Sequence, residues 1–294
     1  MRNLVVLGIV GFIAQLVDGS LGMAYGVTST TLLLAIAGLT PALASTAVHI
    51  SEVGTTLASG VSHWRFGNVD WAKIAWLAIP GGIGAFFGAV VLVSVISAEA
   101  AEPIVAIFLF LLGVYVLARF AFNRTTRVVQ NLPIPRVFLA PLGLIAGFLD
   151  AAGGGGWGPI STPTLLSSGR MEPRKVVGTV DASEFIVALC ASIGFLISLS
   201  FAEVPWGVVG VLLGGGLIAA PIAAWIVRHL NARVLGTTVG GFILLVNAKT
   251  FLEAVGLDPS LNIIVYVAIL AVWGTALYFA ISALRRERQP VLET

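Results

Sequence analysis

Residues 18–30 read DGSLGMAYGVTST, and residues 150–162 read DAAGGGGWGPIST. The two stretches align without gaps. Both begin with Asp, end with Ser-Thr, carry glycine at their fifth and ninth positions, and place an aromatic residue before the second of these glycines. The chain is therefore predicted to contain an internal duplication. The match continues at the same spacing in three further pairs: Pro41 and Pro173, Ser51 and Ser183, and Glu52 and Glu184.

The composition indicates that the chain lies in a lipid bilayer. Of its 294 residues, 58% are hydrophobic and 10% are charged, whereas soluble domains carry about 25% charged residues. In so apolar a chain, 34 glycines and 13 prolines indicate close helix contacts and interrupted helices. The single cysteine excludes a disulfide framework and a paired-cysteine metal site. We predict an all-α polytopic membrane protein with no metal site and no cofactor.

Seven apolar stretches have the length of about 20 residues that crosses a bilayer as a helix. They are residues 42–60, 74–97, 103–122, 176–200, 205–227, 234–254 and 261–284.

The two duplicated motifs interrupt two further apolar regions, residues 4–38 and 137–167. Each region is too long for one span and barely long enough for two. Backbone that is not helical is tolerated at membrane depth only where protein or a water-filled cavity satisfies its N–H and C=O groups. We therefore expect both breaks to lie inside the protein, away from lipid.

Lys and Arg mark the cytoplasmic loops of membrane proteins, and here they lie in alternate loops. If residues 137–167 form a hairpin that enters and leaves on one side, nearly all basic residues are cytoplasmic and the two repeats are inverted. If residues 4–38 and 137–167 each cross once, the charges divide almost evenly. Charge does not decide between a hairpin and a single crossing for residues 4–38, where the hairpin rests on the duplication alone.

The predicted organisation has two inverted repeats, each a broken or re-entrant helical hairpin followed by three transmembrane helices. The first repeat covers residues 1–122 and the second covers residues 137–256. A basic cytoplasmic linker joins them at residues 123–136, and residues 257–294 add one transmembrane helix and a basic cytoplasmic tail.

The glycine-rich breaks are candidate sites for an anion. A helix start has unpaired N–H groups and a partial positive charge, so it can hold an anion without a buried Lys or Arg. Inverted repeats with broken helices near mid-membrane are typical of secondary transporters. The alternative is that the glycines only allow tight packing, but recurrence of the pattern in both halves favours a site. The candidate substrate-binding residues are Gly22, Tyr25, Gly26, Ser29, Thr30, Gly154, Gly155, Gly156, Trp157, Gly158, Ser161 and Thr162.

Ionisable residues inside the apolar segments are functional candidates because each is expensive to place in a membrane. Asp18 and Asp150 precede the breaks, and we interpret them first as acceptors for the exposed backbone N–H groups of those breaks. Glu52 and Glu184 follow in the next helices. These two glutamates either brace the helices or exchange protons.

His49 and Asp181 occupy equivalent positions in the two repeats, each three residues before a glutamate. Residues three apart share one face of a helix. Asp181 and Glu184 are then like charges in a low-dielectric region, so one of them is expected to hold a proton near neutral pH. His49 and Glu52 can instead attract one another. This asymmetry is a possible means of coupling proton movement to the anion.

Asn247 and Lys249 lie together in the last predicted span of the second repeat. Lys249 either extends its ammonium to the outer surface or helps to attract an anion. Cys190 lies in mid-span and its counterpart in the first repeat is Ala58, so we expect a packed thiol rather than a sulfur relay.

These motifs resemble those of the TauE/SafE family of sulfite exporters, over nearly the whole chain. The residues that carry the resemblance are the two motifs at residues 18–30 and 150–162, the helix starts at Pro41 and Pro173, and the Asn247-x-Lys249 sequence. The resemblance implies a bacterial or archaeal inner-membrane transporter that moves small sulfur oxyanions or organosulfonates, commonly outward. Sulfite as the substrate rests on the family name alone.

The sequence thus predicts a secondary transporter of a small sulfur-containing anion, such as sulfite or an organosulfonate, driven by protons or by the membrane potential. Its expected partners are the anion and the lipid bilayer, and no nucleic acid. The alternative is a membrane-embedded enzyme or sulfur-transfer protein that uses the same cavity. A thiol mechanism would need a cysteine near the breaks, which the sequence lacks, and no catalytic residue is predicted. The first repeat departs from the second by having Leu21, Met23 and Ala24 where the second has glycines, so the two breaks need not bind equally.

Overall fold

The computed structural model describes residues 2–122, 133–168, 170–226, 232–257 and 259–288. Every regular element within these residues is helical. The α-helices are α1 (Arg2–Leu21), α2 (Tyr25–Leu32), α3 (Pro41–Arg65), α4 (Trp71–Ser94), α5 (Ala98–Phe122), α6 (Arg136–Gly153), α7 (Trp157–Ser168), α8 (Pro173–Ser198), α9 (Trp206–Ile226), α10 (Ala232–Ala254) and α11 (Asn262–Arg288). A π-helical stretch, Leu33–Ala37, extends α2, and a short 3₁₀ turn, Pro259–Leu261, precedes α11.

Helices occupy all seven stretches that the sequence predicts as spans. Of the described helices, seven are long and apolar enough to cross a membrane: α1, α4, α5, α6, α8, α9 and α11. Helix α3 is long enough at 25 residues, but its buried face is rich in Ser and Thr and carries two histidines and a glutamate. The apolar part of α10 is short, at Gly236–Ala248. The prediction of an all-α, multi-pass membrane protein is confirmed.

Local signals in the sequence explain where several helices begin. Thr40 caps α3 by accepting a hydrogen bond from the Leu43 N–H, and Pro41 occupies the first turn, where its missing N–H is no loss. Asp70 caps α4 in the same manner through the Ala72 N–H. Pro173 stands in the first turn of α8. These caps satisfy backbone N–H groups that a helix start otherwise leaves unpaired.

Both predicted breaks are present, at residues 22–24 between α1 and α2 and at residues 154–156 between α6 and α7. Residues 17–31 and 153–159 are all buried, so the breaks lie inside the protein. Left-handed backbone conformations end the first helix of each pair, and glycine adopts these without steric penalty. The positive φ angles are found at Gly22 (67°), Ala24 (96°), Gly154 (73°) and Gly155 (142°).

Helices α6 and α7 form a hairpin. The Arg170 side chain, just past the end of α7, donates a hydrogen bond from Nη1 to the Pro133 carbonyl oxygen, just before the start of α6, at 2.9 Å. The N-terminal end of α6 and the C-terminal end of α7 therefore lie close together. The legs are unequal, with 18 residues in α6 and 12 in α7.

The two halves of the chain make reciprocal helix contacts. Helix α1 packs on α9 as α6 packs on α4, and α3 packs on α9 as α8 packs on α4. When α1 to α5 are matched in order with α6 to α10, these four contacts form two equivalent pairs. Helix α3 also packs on its own counterpart α8, and α5 packs on its counterpart α10. The sequence duplication is thus also a duplication of packing.

Glycines allow the closest of these contacts. A Cβ atom at Gly147 of α6 would overlap the carbonyl oxygen of Gly81 in α4, and one at Gly215 of α9 would overlap the carbonyl oxygen of Gly8 in α1. Small residues at helix contacts let backbones approach, which is the main route to tight packing in lipid.

Helix α11 lies at the periphery and packs mainly on α10. Only 11% of its apolar stretch is buried inside the protein, as expected for a helix that faces lipid. Most of the predicted linker 123–136, the loop that contains Arg228, and the C-terminal tail after residue 288 lie outside the described residues.

Candidate functional site

The two breaks meet at the centre of the protein. Gly155 packs against residues 26–27 at the start of α2, and Gly158 packs against residues 22–23 of the first break, so that a side chain at either glycine would overlap backbone there. The Thr162 hydroxyl donates a hydrogen bond across the contact to the Gly22 carbonyl oxygen. The glycines therefore have a packing role, whatever ligand they also meet.

The start of α7 is capped by an aspartate. Asp150 Oδ1 accepts hydrogen bonds from the N–H groups of Gly156 at 2.7 Å and Trp157 at 2.9 Å. These are two of the N–H groups for which the sequence offered two acceptors, Asp150 itself and an anion. A carboxylate of the protein occupies them in this structure.

The equivalent Asp18 is less well paired. It faces the Tyr25 N–H at the start of α2, but neither of its carboxyl oxygens makes a hydrogen bond of normal geometry, although both are buried. The two break aspartates thus occupy similar places and differ in their contacts.

Asp150 also belongs to a first cluster of ionisable residues, with His49 and Glu52 of α3. Its Oδ2 lies 3.0 Å from His49 Nε2, and Glu52 Oε2 lies 3.9 Å from the same nitrogen. His49 Nδ1 lies 2.8 Å from the Ser45 carbonyl oxygen. Because that carbonyl can only accept, Nδ1 carries a hydrogen and Nε2 shares a second proton with Asp150. An imidazolium paired with an ionised Asp150 fits best, since Oδ1 already accepts two N–H bonds.

A second cluster consists of Asp18, Asp181 and Glu184. One carboxyl oxygen of each lies within 4.8 Å of the others, and all three side chains are buried. Both oxygens of each aspartate and Oε2 of the glutamate have no hydrogen-bond partner of normal geometry. Within the described part of the chain, none of these acids forms a salt bridge with a basic group.

The two clusters correspond through the repeat. Each takes two residues from the long helix α3 or α8 and an aspartate from the break of the other half. The alignment of the repeats matches the clusters residue for residue, with one difference, because His49 stands in the first cluster where Asp181 stands in the second. The sequence predicted the pair within each helix, and the structure adds the aspartate from the opposite repeat.

Unpaired hydroxyl groups lie beside the breaks. Ser29 and Thr30 of α2 and Ser161 of α7 are fully buried, and none of their hydroxyl oxygens has a hydrogen-bond partner. Ser29 and Ser161 are equivalent in the repeat. Thr30 lies against Gly154 of the opposite break. A buried hydroxyl without a partner is costly, and these three are available to donate to a ligand.

The predicted aromatic candidates are engaged within the protein. The Tyr25 hydroxyl lies 3.0 Å from the hydroxyl oxygen of Ser51, and the Trp157 indole donates to the Val180 carbonyl oxygen at 3.1 Å. Both side chains are fully buried. They join the short helices α2 and α7 to the long helices α3 and α8.

Asn247 braces α2 from α10. Its side-chain Nδ2 donates to the Thr31 hydroxyl oxygen and to the Ile243 carbonyl oxygen, both at 2.9 Å. The predicted partner Lys249 lies on α10, and its side chain is outside the part of the structure that is described.

Comparison with known proteins identifies the family. The model of the family described as "Sulfite exporter TauE/SafE" matches residues 7–250. The chain belongs to the TauE/SafE family. A relative from Bacillus subtilis (strain 168), described as "Probable membrane transporter protein YtnM", is 52% identical over 283 residues, which cover 96% of this chain and 94% of the relative. No solved structure matches the chain significantly.

Membership of the TauE/SafE family confirms the resemblance inferred from the motifs. It identifies the chain as a multi-pass transporter of the cell membrane and not as an enzyme. The matched region of the TauE/SafE model contains both breaks, both ionisable clusters and Asn247, and it ends before α11.

Two polar residues of this TauE/SafE protein escaped the sequence analysis. Gln15 of α1 and Ser59 of α3 are fully buried, and their side-chain polar atoms have no hydrogen-bond partner of normal geometry. Gln15 lies one turn before Asp18 inside an apolar segment, so its spacing from Asp18 could have identified it from the sequence. Ser59 is one of many hydroxyl residues along α3, and nothing in the sequence distinguishes it from its neighbours.

Proposed function

We propose that this TauE/SafE protein is a secondary transporter that exports a small sulfur-containing anion, such as sulfite or an organosulfonate, across the bacterial inner membrane. The family description supports the substrate class. The relative described as a probable membrane transporter supports transport.

The substrate site we propose lies where the two breaks meet. The observation that carries it is the set of buried, unpaired hydroxyls of Ser29, Thr30 and Ser161 near the starts of α2 and α7. Helix starts carry partial positive charge, and hydroxyl donors beside them suit a sulfite or sulfonate oxygen. Because Asp150 caps the first N–H groups of α7, the hydroxyls take a larger share of anion binding in this proposal than the glycine N–H groups do.

The proposed transport mechanism uses two inverted repeats. The reciprocal helix contacts and the α6–α7 hairpin support this arrangement, in which repeats at residues 1–122 and 137–256 rock about the central breaks. Alternating access in such proteins is largely a rigid movement of one repeat against the other around a fixed site.

The test of the site is flux into proteoliposomes, measured for sulfite, sulfate, thiosulfate, taurine and sulfoacetate. A hydrogen bond to a charged group contributes about 1.5–3 kcal/mol. The double variant Ser29→Ala/Ser161→Ala is therefore expected to lower flux of the transported anion by at least about tenfold, with normal membrane insertion.

The matched control for this variant is Ser192→Ala. The Ser192 hydroxyl donates to the Ala188 carbonyl oxygen within its own helix, so its loss should leave flux unchanged. Normal flux in the Ser29→Ala/Ser161→Ala protein would refute the proposed site. Substitutions at Gly155 do not discriminate, because a side chain there overlaps backbone of α2.

A further inference from the structure

The second ionisable cluster has an unbalanced negative charge. Asp18, Asp181 and Glu184 converge within 4.8 Å and are buried from solvent. Buried charges are normally paired or coordinate a cation. Glu184 also interacts electrostatically with Glu52 and Asp150 of the first cluster, which are also acids. A bound cation, or protons on the acids themselves, must therefore reduce this charge.

The first cluster shows what neutralises such a group. There, His49 places Nε2 at 3.0 Å from one carboxyl oxygen and 3.9 Å from another. The positive end of that side chain lies between an aspartate and a glutamate. In the second cluster the equivalent residue is Asp181, so a third carboxylate stands where the first cluster has a basic side chain.

A buried hydroxyl lies beside the second cluster, and a buried amide lies near that hydroxyl. The Ser59 hydroxyl faces the Asp181 carboxyl group, yet it makes no hydrogen bond of normal geometry. A Cβ atom at Gly19, the residue after Asp18, would lie 3.4 Å from Ser59 Oγ and 3.7 Å from Gln15 Nε2. Gln15 is fully buried with both polar atoms of its amide unpaired. Carboxylates with a nearby hydroxyl and a side-chain amide offer the oxygen ligands that hard cations take.

The position of the cluster in the fold favours a cation as well. Asp18 lies in the last turn of α1, and the C-terminal end of a helix carries partial negative charge. In transporters with broken helices, such C-terminal ends coordinate the coupling ion beside the substrate.

We propose that Asp18, Asp181 and Glu184, together with Gln15 and Ser59, form a binding site for one sodium ion. A proton would bind to a carboxylate alone, whereas a cation could also be coordinated by the amide and the hydroxyl. The three carboxyl oxygens lie within 4.8 Å of one another, close enough for a single ion to lie among them. Coupling of this ion to anion movement rests on the proposed function, whereas binding of the ion does not.

The experiment measures sodium binding to the purified full-length protein without any anionic substrate. Thermal stability is compared in NaCl and in choline chloride at equal ionic strength, and binding of ²²Na⁺ is measured directly. The wild type should bind ²²Na⁺ and melt at a higher temperature in NaCl. Ser59→Ala should weaken sodium affinity about tenfold or more.

The matched control is Ser62→Ala, one turn further along α3. The Ser62 hydroxyl donates to the Ala58 carbonyl oxygen of its own helix, so sodium affinity should not change. A second variant, Asp181→His, reproduces the first cluster in the second, and it should remain folded and lose sodium binding, because the imidazolium supplies the missing charge.

Three results would overturn the sodium site. These are absence of ²²Na⁺ binding to the wild type, stabilisation by Ca²⁺ but not by Na⁺, and stability that varies with pH but not with sodium, which would indicate protons. Because no substrate is present, none of these results bears on the anion site, and normal flux in the Ser29→Ala/Ser161→Ala variant does not bear on sodium binding.

Discussion

Replacement of the two break aspartates should have very different effects on stability. In Asp150→Ala, the N–H groups of Gly156 and Trp157 lose their acceptor, and His49 Nε2 loses its partner at 3.0 Å and keeps only Glu52 Oε2 at 3.9 Å. Breaking a buried ion pair by removing one member costs about 3–5 kcal/mol. The two hydrogen bonds to the carboxylate are part of that figure and do not add to it in full.

The equivalent change in the first repeat, Asp18→Ala, provides the comparison. Asp18 makes no hydrogen bond of normal geometry and lies beside two other acids, so its removal relieves repulsion. In buffer without sodium we expect a change of less than about 1 kcal/mol, or a gain in stability.

The assay is equilibrium unfolding in mixed detergent micelles, followed by tryptophan fluorescence, with both variants and the wild type in choline chloride. Asp150→Ala should be the less stable variant by at least about 2 kcal/mol, the difference between the two expected losses. Equal losses, or a larger loss in Asp18→Ala, would refute the interpretation of Asp150 as the cap of α7 and the partner of His49.

Three other predictions concern contacts and topology. Trp157→Phe removes the indole bond to the Val180 carbonyl oxygen and should lower the free energy of unfolding by about 1–3 kcal/mol; an unchanged unfolding curve would contradict that role. Asn247→Ala removes the bond to Thr31 and should cost about 1–2 kcal/mol in the same assay, a loss that should not occur if α10 does not brace α2. In a Cys190→Ser background, single cysteines beside Arg65 and Arg170 should react with a membrane-impermeant maleimide only from the cytoplasmic side; reaction of the second position from outside would contradict the inverted repeats.

The sequence predicted the breaks, the spans and the pairing of charges within one helix, because each depends on local spacing. Glycine favours the left-handed backbone that ends a helix at each break, and residues 181 and 184 share a face of any helix that contains them. These inferences did not require knowledge of how the helices pack.

The sequence could not predict contacts between the halves. Asp18 joins Asp181 only because α1, α3 and α8 converge, and the repeat alignment gave no distance between them. The sequence offered both an anion and Asp150 as acceptors for the N–H groups of the second break, and Asp150 accepts two hydrogen bonds there. Spacing shows that an N–H group is exposed by a break, and only the fold shows which acceptor reaches it.

The proposed function is transport of a small sulfur-containing anion through the site between the two breaks. The most direct measurement is the counterflow of ³⁵S-sulfite into proteoliposomes loaded with unlabelled sulfite or with sulfoacetate. The wild type should accumulate label transiently with at least one of these anions inside, and the Ser29→Ala/Ser161→Ala variant should accumulate at least about tenfold less. Accumulation by the wild type that does not exceed that of protein-free liposomes, with either anion inside, would contradict the proposed function.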